Sequence, residues 1–140
     1  MYVDKNTMMM SAQTAYSTTG AYIYGSYSYD CGTTGRYGDI GKGKPVAVIF
    51  TVDTGFTSAG SATITFQIRC DTDLTIDSNS VIVAQTGAIA VESLPAGTVI
   101  VLPIPAGILG STYDHLGVST LTGTADGTAG AVTAFIGFDW

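Results

Sequence analysis

Charged residues are scarce in this sequence. Only 11% of its 140 residues are Asp, Glu, Lys or Arg, against about 25% in an ordinary globular domain. The net charge is −6, and the five basic residues are Lys5, Arg36, Lys42, Lys44 and Arg69. Because nucleic-acid binding draws its affinity from Lys and Arg contacts to phosphates, this composition does not favour a DNA or RNA partner. Wide neutral surfaces suit a protein that ends up against other proteins.

Long apolar runs are also missing. No stretch approaches the roughly 18 apolar residues of a membrane-spanning helix, and the start of the chain, Met1 to Lys5, lacks the apolar core of a signal peptide. We therefore expect no membrane partner and synthesis in a reducing cytoplasm. Cysteine is rare as well, and Cys31 and Cys70 should be free thiols in that compartment. A disulfide between these two residues is the alternative.

Groups that perform catalysis are few. His115 is the single histidine and Glu92 the single glutamate. Neighbours on a strand point to opposite faces, so Asp114 is not placed to orient His115, and no Gly-x-Ser-x-Gly elbow supplies a nucleophile. One histidine and two cysteines are also one ligand short of a structural zinc site. We expect no enzyme, no catalytic residue, no cofactor and no metal ligand.

Two motifs partly match sites that bind ligands. Gly38 to Lys44 fits the first seven positions of a phosphate-binding P-loop, but Pro45 stands where Ser or Thr must hold magnesium. A flexible Gly-rich loop is the preferred interpretation. Asp71, Asp73 and Asp77 follow a predicted strand at a spacing that can gather calcium. An ordinary acidic turn is preferred to a weak metal site.

The apolar residues alternate or come in short runs between turn residues, which is typical of strands. The clearest strand is Ala62 to Cys70, in which Ala62, Ile64, Phe66, Ile68 and Cys70 should form a buried face and Thr63, Thr65, Gln67 and Arg69 a wetter one. The other predicted strands are Pro45 to Val52, Ser80 to Gln85, Ala88 to Glu92, Thr98 to Leu102, His115 to Leu121 and Ala129 to Phe138. Pro45 to Val52 is apolar on both faces and should be central, and Thr86-Gly87 is a plausible turn. Strands at this spacing predict a sandwich or a barrel.

The chain is predicted to form one domain over residues 1–140. Residues 1–44 differ from the rest, because Ala21 to Tyr29 is rich in tyrosine and Cys31 to Lys44 reads as a long Gly-rich loop. Thr7 to Gln13 is the only segment whose sequence suggests a helical turn. The tyrosines of Ala21 to Tyr29, which we call the tyrosine stripe, have three interpretations: a half-buried strand face, a protein interface or a platform for sugars. Tyrosine suits an interface because it offers a large contact area at low entropic cost.

Several low-complexity β segments are informative when they are taken together: Asp4-Lys5, Ser11 to Gln13, Asp39 to Gly41, Phe56 to Ile68, Leu94 to Gly97, Leu102-Pro103 and Gly130 to Ala134. In these segments the chain resembles the Bbp16-like cement proteins of tailed phages. No single motif is diagnostic, and the order and spacing carry the resemblance over most of the chain. This sequence departs from the family near Tyr113 to Val118, where an arginine-containing strand is usual and Asp114-His115 stands instead.

The resemblance implies an all-β, jelly-roll-like antiparallel β-sandwich on the outer surface of the virion capsid. As a cement or decoration protein, it would bridge subunits of the major capsid protein and associate with itself as a homodimer or homotrimer around a symmetry axis. The alternative is a carbohydrate- or receptor-binding sandwich on the virion surface. The residues expected at a protein interface are Met8, Met9, Met10, Tyr22, Tyr24, Tyr27, Tyr29, Phe56, Phe138 and Trp140. The last two would anchor a C-terminal strap, or simply finish the last strand.

Overall fold

The computed structural model describes residues 5–31, 46–105 and 113–137. Apart from the 3-10 turns Lys5–Thr7 and Val91–Ser93, the regular structure of these ranges is β. The strands are β1 (Met8–Thr14), β2 (Tyr22–Tyr24), β3 (Tyr29–Asp30), β4 (Ala47–Ser58), β5 (Thr63–Asp71), β6 (Val81–Gln85), β7 (Ile89–Ala90), β8 (Val99–Pro103), β9 (His115–Gly123) and β10 (Gly127–Gly137).

The strands form two antiparallel sheets that pack as a jelly-roll-like sandwich. Sheet A has the order β1-β10-β4-β8, and sheet B has the order β2-β9-β5-β6, with β3 paired to β9 and β7 paired to β5. β1 approaches β2 along one side of the sandwich, where the Gln13 side chain donates a 2.7 Å hydrogen bond to the Tyr24 carbonyl. β6 and β8 lie together along the opposite side. The all-β prediction is confirmed.

The core lies between the sheets and comes from the alternating residues of their inner faces. Ile64, Phe66 and Ile68 of β5 are fully buried, which confirms the predicted apolar face. The Phe66 ring lies 5.0 Å from that of Phe50 across the core. β4 pairs with β10 on one side and β8 on the other, as expected for a strand that is apolar on both faces.

The predicted wetter face of β5 is wrong at two positions. Gln67 is 1% exposed and Arg69 is 3% exposed, although both lie on the outer face of sheet B. The alternation correctly assigned them to the face away from the core. It could not reveal that Tyr22 and Tyr24 of β2, two strands away, would lean over this face and cover it.

Three local predictions also need correction. Thr7 to Gln13 forms no helical turn beyond residue 7, because β1 runs from Met8 to Thr14 and pairs with β10. The strand predicted to end at Val52 continues through Phe56, since β4 runs to Ser58. Thr86 does not reverse the chain: its N–H donates to the Phe66 carbonyl and its hydroxyl accepts from the Phe66 N–H. β6 and β7 therefore follow the same edge of β5 instead of forming a hairpin.

Candidate interaction surface

Two tyrosines of β2 lie over a buried arginine on the outer face of sheet B. Tyr22 and Tyr24 stack with ring centroids 6.0 Å apart and planes inclined by 21°. The guanidinium carbon of Arg69 is 4.8 Å from the Tyr22 centroid and 5.2 Å from the Tyr24 centroid. Both distances are within the range of a cation–π contact, which strengthens when the cation is desolvated. One cation therefore holds both rings.

The guanidinium of Arg69 is held from the sheet side by neutral acceptors. Its Nε donates to Ser119 Oγ at 2.8 Å, one terminal nitrogen donates to the Ser80 carbonyl at 2.9 Å, and the other donates to Gln67 Oε1 at 3.2 Å. No carboxylate of the described residues forms an ion pair with it. The planar fork uses its donors in several directions at once, which an ammonium group cannot reproduce.

The two side-chain acceptors of Arg69, Ser119 and Gln67, lie in one row across the sheet. The β2, β9, β5 and β6 members of this row are Tyr24, Ser119, Gln67 and Gln85. Ser119 donates to Gln67 Oε1 at 2.8 Å, and Gln67 Nε2 donates to Gln85 Oε1 at 3.0 Å. Satisfied buried networks of this kind fix side-chain conformations. The tyrosine pair consequently stands on a rigid base.

Tyr27 projects from the same side of the sandwich, where the chain passes from β2 to β3. It is 61% exposed, and its N–H bonds to the Met9 carbonyl of β1. A cleft of about 300 Å³ on one side is lined in part by Met8. A second cleft of about 260 Å³ is lined in part by Leu74, which is 68% exposed. We call Tyr22, Tyr24, Tyr27, Met8 and Leu74 the tyrosine surface.

Gly25 explains why the tyrosine stripe is not one continuous strand. A Cβ atom at this position would lie 2.8 Å from the Met9 carbonyl oxygen, so the chain approaches β1 more closely than other residues permit. The ladder with β9 stops at Tyr24 and resumes at Tyr29. Tyr29 is half-buried against the core, so it does not extend the stacked pair of Tyr22 and Tyr24. Tyr27 is turned outward between the two short strands.

The remaining residues predicted at an interface lie elsewhere. Met9 and Met10 are fully buried in the core. Phe56 is also buried, with its ring 6.2 Å from that of Phe66 in an edge-on contact. These three side chains pack inside the sandwich, so they do not contribute to its outer surface. Phe138 and Trp140 lie outside the described residues, as does the segment 38–44 with its partial P-loop pattern.

The acidic turn uses its carboxylates to hold its own backbone. Asp71 accepts from the Ser80 hydroxyl at 2.5 Å and from the N–H groups of Thr72 and Asp73. These hydrogen bonds, that of Ser80 above all, lower the pKa of Asp71. Asp77 accepts from the Asn79 N–H at 2.7 Å. In the part of the chain that the structure describes, no three potential metal ligands cluster.

His115 lies between two acidic residues in the sheet. Asp30 of β3 and Asp71 of β5 are its register partners on either side. Its Nδ1 atom is buried and has no hydrogen-bond partner among the described residues. Asp114 uses its backbone, not its side chain, to join neighbouring strands: its carbonyl accepts from Cys31 N–H and its N–H donates to the Asp71 carbonyl.

The two cysteines are buried and unpaired. Burial raises the pKa of each thiol from 9.0 to about 12, and charge on Cys70 contributes to the rise at Cys31. A raised pKa removes the thiolate that nucleophilic or metal-binding cysteines need, so both residues act as core side chains.

One family model matches most of the chain. This is the Bbp16 family model, which matches residues 11–136. The chain belongs to the Bbp16 family. The matched range begins in β1 and ends in β10, and it includes the tyrosine surface apart from Met8. No curated protein matches the chain. Within the residues that the structure describes, no helix is long and apolar enough to span a bilayer.

Sequence reasoning identified the tyrosines of this Bbp16 family member but missed Arg69 beneath them. The available signal was its position: a cation near the end of the most regular strand, flanked by the apolar residues Ile68 and Cys70. A charged residue is almost never fully buried without partners. Its burial therefore required a polar network and a cover, which are the two features that the structure supplies.

Proposed function

We propose that this protein is a capsid cement, or decoration, protein of a tailed phage. It binds the outer surface of the head and bridges subunits of the major capsid protein. It is made in the host cytoplasm and ends up on the virion. It contributes contacts rather than chemistry, and its partners are the shell and further copies of itself.

The observation that carries this proposal is the tyrosine surface. Tyr27 is 61% exposed between two clefts, and Tyr22 and Tyr24 are held rigid by Arg69. Aromatic side chains beside pockets are the residues that most often dominate protein interfaces. A preorganised pair also avoids part of the entropic penalty of ordering side chains on binding. The resemblance to phage cement proteins supports the shell as the partner, and membership of the Bbp16 family is consistent with it.

The stabilising mechanism would be physical. A ligand that binds the assembled shell and not the dissociated subunits shifts the equilibrium toward the shell by mass action. A bridge between neighbouring subunits also raises the effective concentration of every remaining contact between them. A modest interface repeated over the shell is therefore sufficient.

The decisive experiment adds the purified protein to heads that lack it. We expect stoichiometric, symmetric decoration in electron micrographs and a higher disruption temperature of the heads. A protein that ignores the shell but binds oligosaccharides on a glycan array would overturn the proposal. That result would assign the same tyrosines to a carbohydrate- or receptor-binding surface.

The surface itself is tested with Tyr27→Ala. We expect this variant to bind heads about thirtyfold more weakly, corresponding to the roughly 2 kcal/mol typical of an interface hot spot. Ile82→Ala is the matched control, because Ile82 is 40% exposed on β6, at the other edge of sheet B. Equal head binding by wild type and Tyr27→Ala would remove Tyr27 from the interface.

A further inference from the structure

The segment that carries Tyr27, residues 25–28, lies between β2 and β3 and belongs to neither strand. Tyr27 stands between the two clefts, so the position of this segment determines the shape of the tyrosine surface. The Tyr27 N–H donates to the Met9 carbonyl at 3.2 Å. A short exposed segment with few backbone hydrogen bonds opens readily unless side chains hold it.

The side chain of Gln13 in β1 holds this segment by three hydrogen bonds. Its Nε2 atom donates to the Tyr24 carbonyl at 2.7 Å. Its Oε1 atom accepts from the Ser26 N–H at 2.9 Å and from the Ser26 hydroxyl at 2.8 Å. One side chain of sheet A therefore contacts the chain on both sides of Gly25, where the backbone comes closest to β1.

A β-bulge in β1 turns Gln13 toward this segment. Met10 and Gln13 are three residues apart on β1, but their partners on β10, Ala134 and Val132, are only two apart. A shift of one residue moves a side chain to the other face of a sheet. Gln13 therefore shares the inner face with the buried Val132, whereas a regular strand would direct it outward.

The backbone of the bulge is strained at Ala12. Its φ is +44°, in the left-handed region that residues with a side chain seldom adopt. Its N–H donates to the Thr133 hydroxyl at 2.9 Å, and that hydroxyl donates to Asp53 at 2.7 Å. Such strain persists only where the surrounding structure imposes it, and it is common at functional sites. Bulges often re-aim a side chain at such sites, and the side chain re-aimed here is Gln13.

We propose that Gln13 is a positioning residue of the tyrosine surface, which fixes residues 25–28 against β1 and thereby holds Tyr27 in the orientation that binds the shell. This inference rests on the proposed function. The far end of the segment is tied as well, because the Ser28 hydroxyl donates to the Leu74 carbonyl at 2.6 Å. A side chain that is ordered before binding avoids an entropic penalty on binding.

Amide hydrogen exchange, followed residue by residue by NMR, tests the positioning. In Gln13→Ala we expect the Tyr27 N–H to exchange about tenfold faster or more, because the segment opens more often. This amide is a sharp reporter, since it bonds to Met9 and not to Gln13. The amides of β5 should keep their rates, which shows that the sandwich remains folded. A wild-type rate at Tyr27 in Gln13→Ala would overturn the positioning role.

Two further variants separate the amide of Gln13 from a general effect of changing β1. Gln13→Glu keeps an acceptor for Ser26 and loses the donor to Tyr24, so its Tyr27 exchange should lie between those of wild type and Gln13→Ala. Thr14→Ala is the matched control, because Thr14 is the exposed neighbour of Gln13 on β1, and it should exchange like wild type. If Thr14→Ala freed Tyr27 as much as Gln13→Ala, the role assigned to Gln13 would be wrong.

Head binding links the positioning to function. We expect Gln13→Ala to bind heads about tenfold more weakly, the order expected when a side chain must be ordered on binding. In the Tyr27→Ala background the same change should alter the affinity less than about twofold, because residues that act as a unit are not additive. Additive losses would show that Gln13 acts independently of Tyr27 and would overturn the inference.

Failure of this inference and failure of the proposed function give different results. If wild type decorates heads and Gln13→Ala leaves the head affinity unchanged, only the role of Gln13 is overturned. If wild type ignores heads while Gln13→Ala still accelerates exchange at Tyr27, Gln13 holds the segment but the cement proposal is wrong.

Discussion

Arg69 lies beneath the tyrosine surface and joins sheet B to the two rings above it. Replacing it removes the hydrogen-bond partner of several buried acceptors and the support of Tyr22 and Tyr24 together. Its burial also illustrates a limit of sequence analysis. Period-2 alternation assigns a residue to a face, but the strand that covers that face is decided by long-range pairing. β2 and β5 are joined only through β9, whose residues come some fifty positions after those of β5.

We expect Arg69→Ala to lower the free energy of unfolding by about 3 kcal/mol or more, since each unsatisfied buried acceptor costs about 1–3 kcal/mol. Arg69→Lys keeps the charge but loses the fork, and it should lie between Arg69→Ala and wild type. Urea denaturation measures both, and the near-ultraviolet circular dichroism of tyrosine should weaken in the folded Arg69→Lys protein. An Arg69→Ala midpoint equal to that of wild type would contradict a structural role for the network.

The thiols of Cys31 and Cys70 should make stability fall at alkaline pH. Their pKa is 9.0 when unperturbed and about 12 in the folded chain. Between these values the unfolded state has lost the protons that the native state keeps, so stability is full below about pH 9 and decreases as pH rises toward 12. The melting temperature of wild type should therefore drop more steeply over this window than that of the Cys31→Ala, Cys70→Ala double variant. Parallel curves would contradict the assignment.

At the scale of elements, the strands themselves were largely predictable from alternation, β-branched residues and turn signals. β5, β8 and β9 lie within two residues of their predicted bounds. The predictions failed at two segments. The methionines of residues 8–10 lie in an edge strand where a helical turn was expected, and Thr86 hydrogen-bonds to the backbone of β5 where a turn was expected. Both outcomes depend on a partner strand that is distant in sequence, so local pattern carries little information about them.

The long pair of β4 and β10 depends on Gly130. This residue has φ +147°, and a Cβ atom there would lie 2.3 Å from the Phe56 ring. The register of β10 against β4 shifts on both sides of Ala129, so the glycine lies at an irregularity that lets Phe56 enter the core.

Gly130→Ala should therefore destabilise the sandwich by about 2–5 kcal/mol, combining backbone strain with the displacement of a core ring. Gly87→Ala is the matched control, since a Cβ at Gly87 meets nothing within 4 Å and its φ is not positive. It should stay within about 1 kcal/mol of wild type. Thermal melting compares the two, and equal losses would contradict the role assigned to Gly130.

At the scale of the whole molecule, the two sides of the sandwich differ in kind. The β1–β2 side carries exposed aromatic rings and two clefts, and the β6–β8 side carries neutral open edges. The β1–β2 side, which carries the tyrosine surface, is therefore the side that we propose meets the shell.

The low charge of the molecule determines how head binding should respond to salt. An interface of tyrosine, methionine and leucine side chains gains its free energy from burial of apolar area, which screening does not weaken. We therefore expect the affinity for heads to change less than about threefold when the Debye length is shortened from about 10 Å to about 3 Å. Sedimentation of heads with bound protein at low and high sodium chloride measures it. A loss of tenfold or more would indicate that the few charges of the chain, rather than the tyrosine surface, provide the attachment.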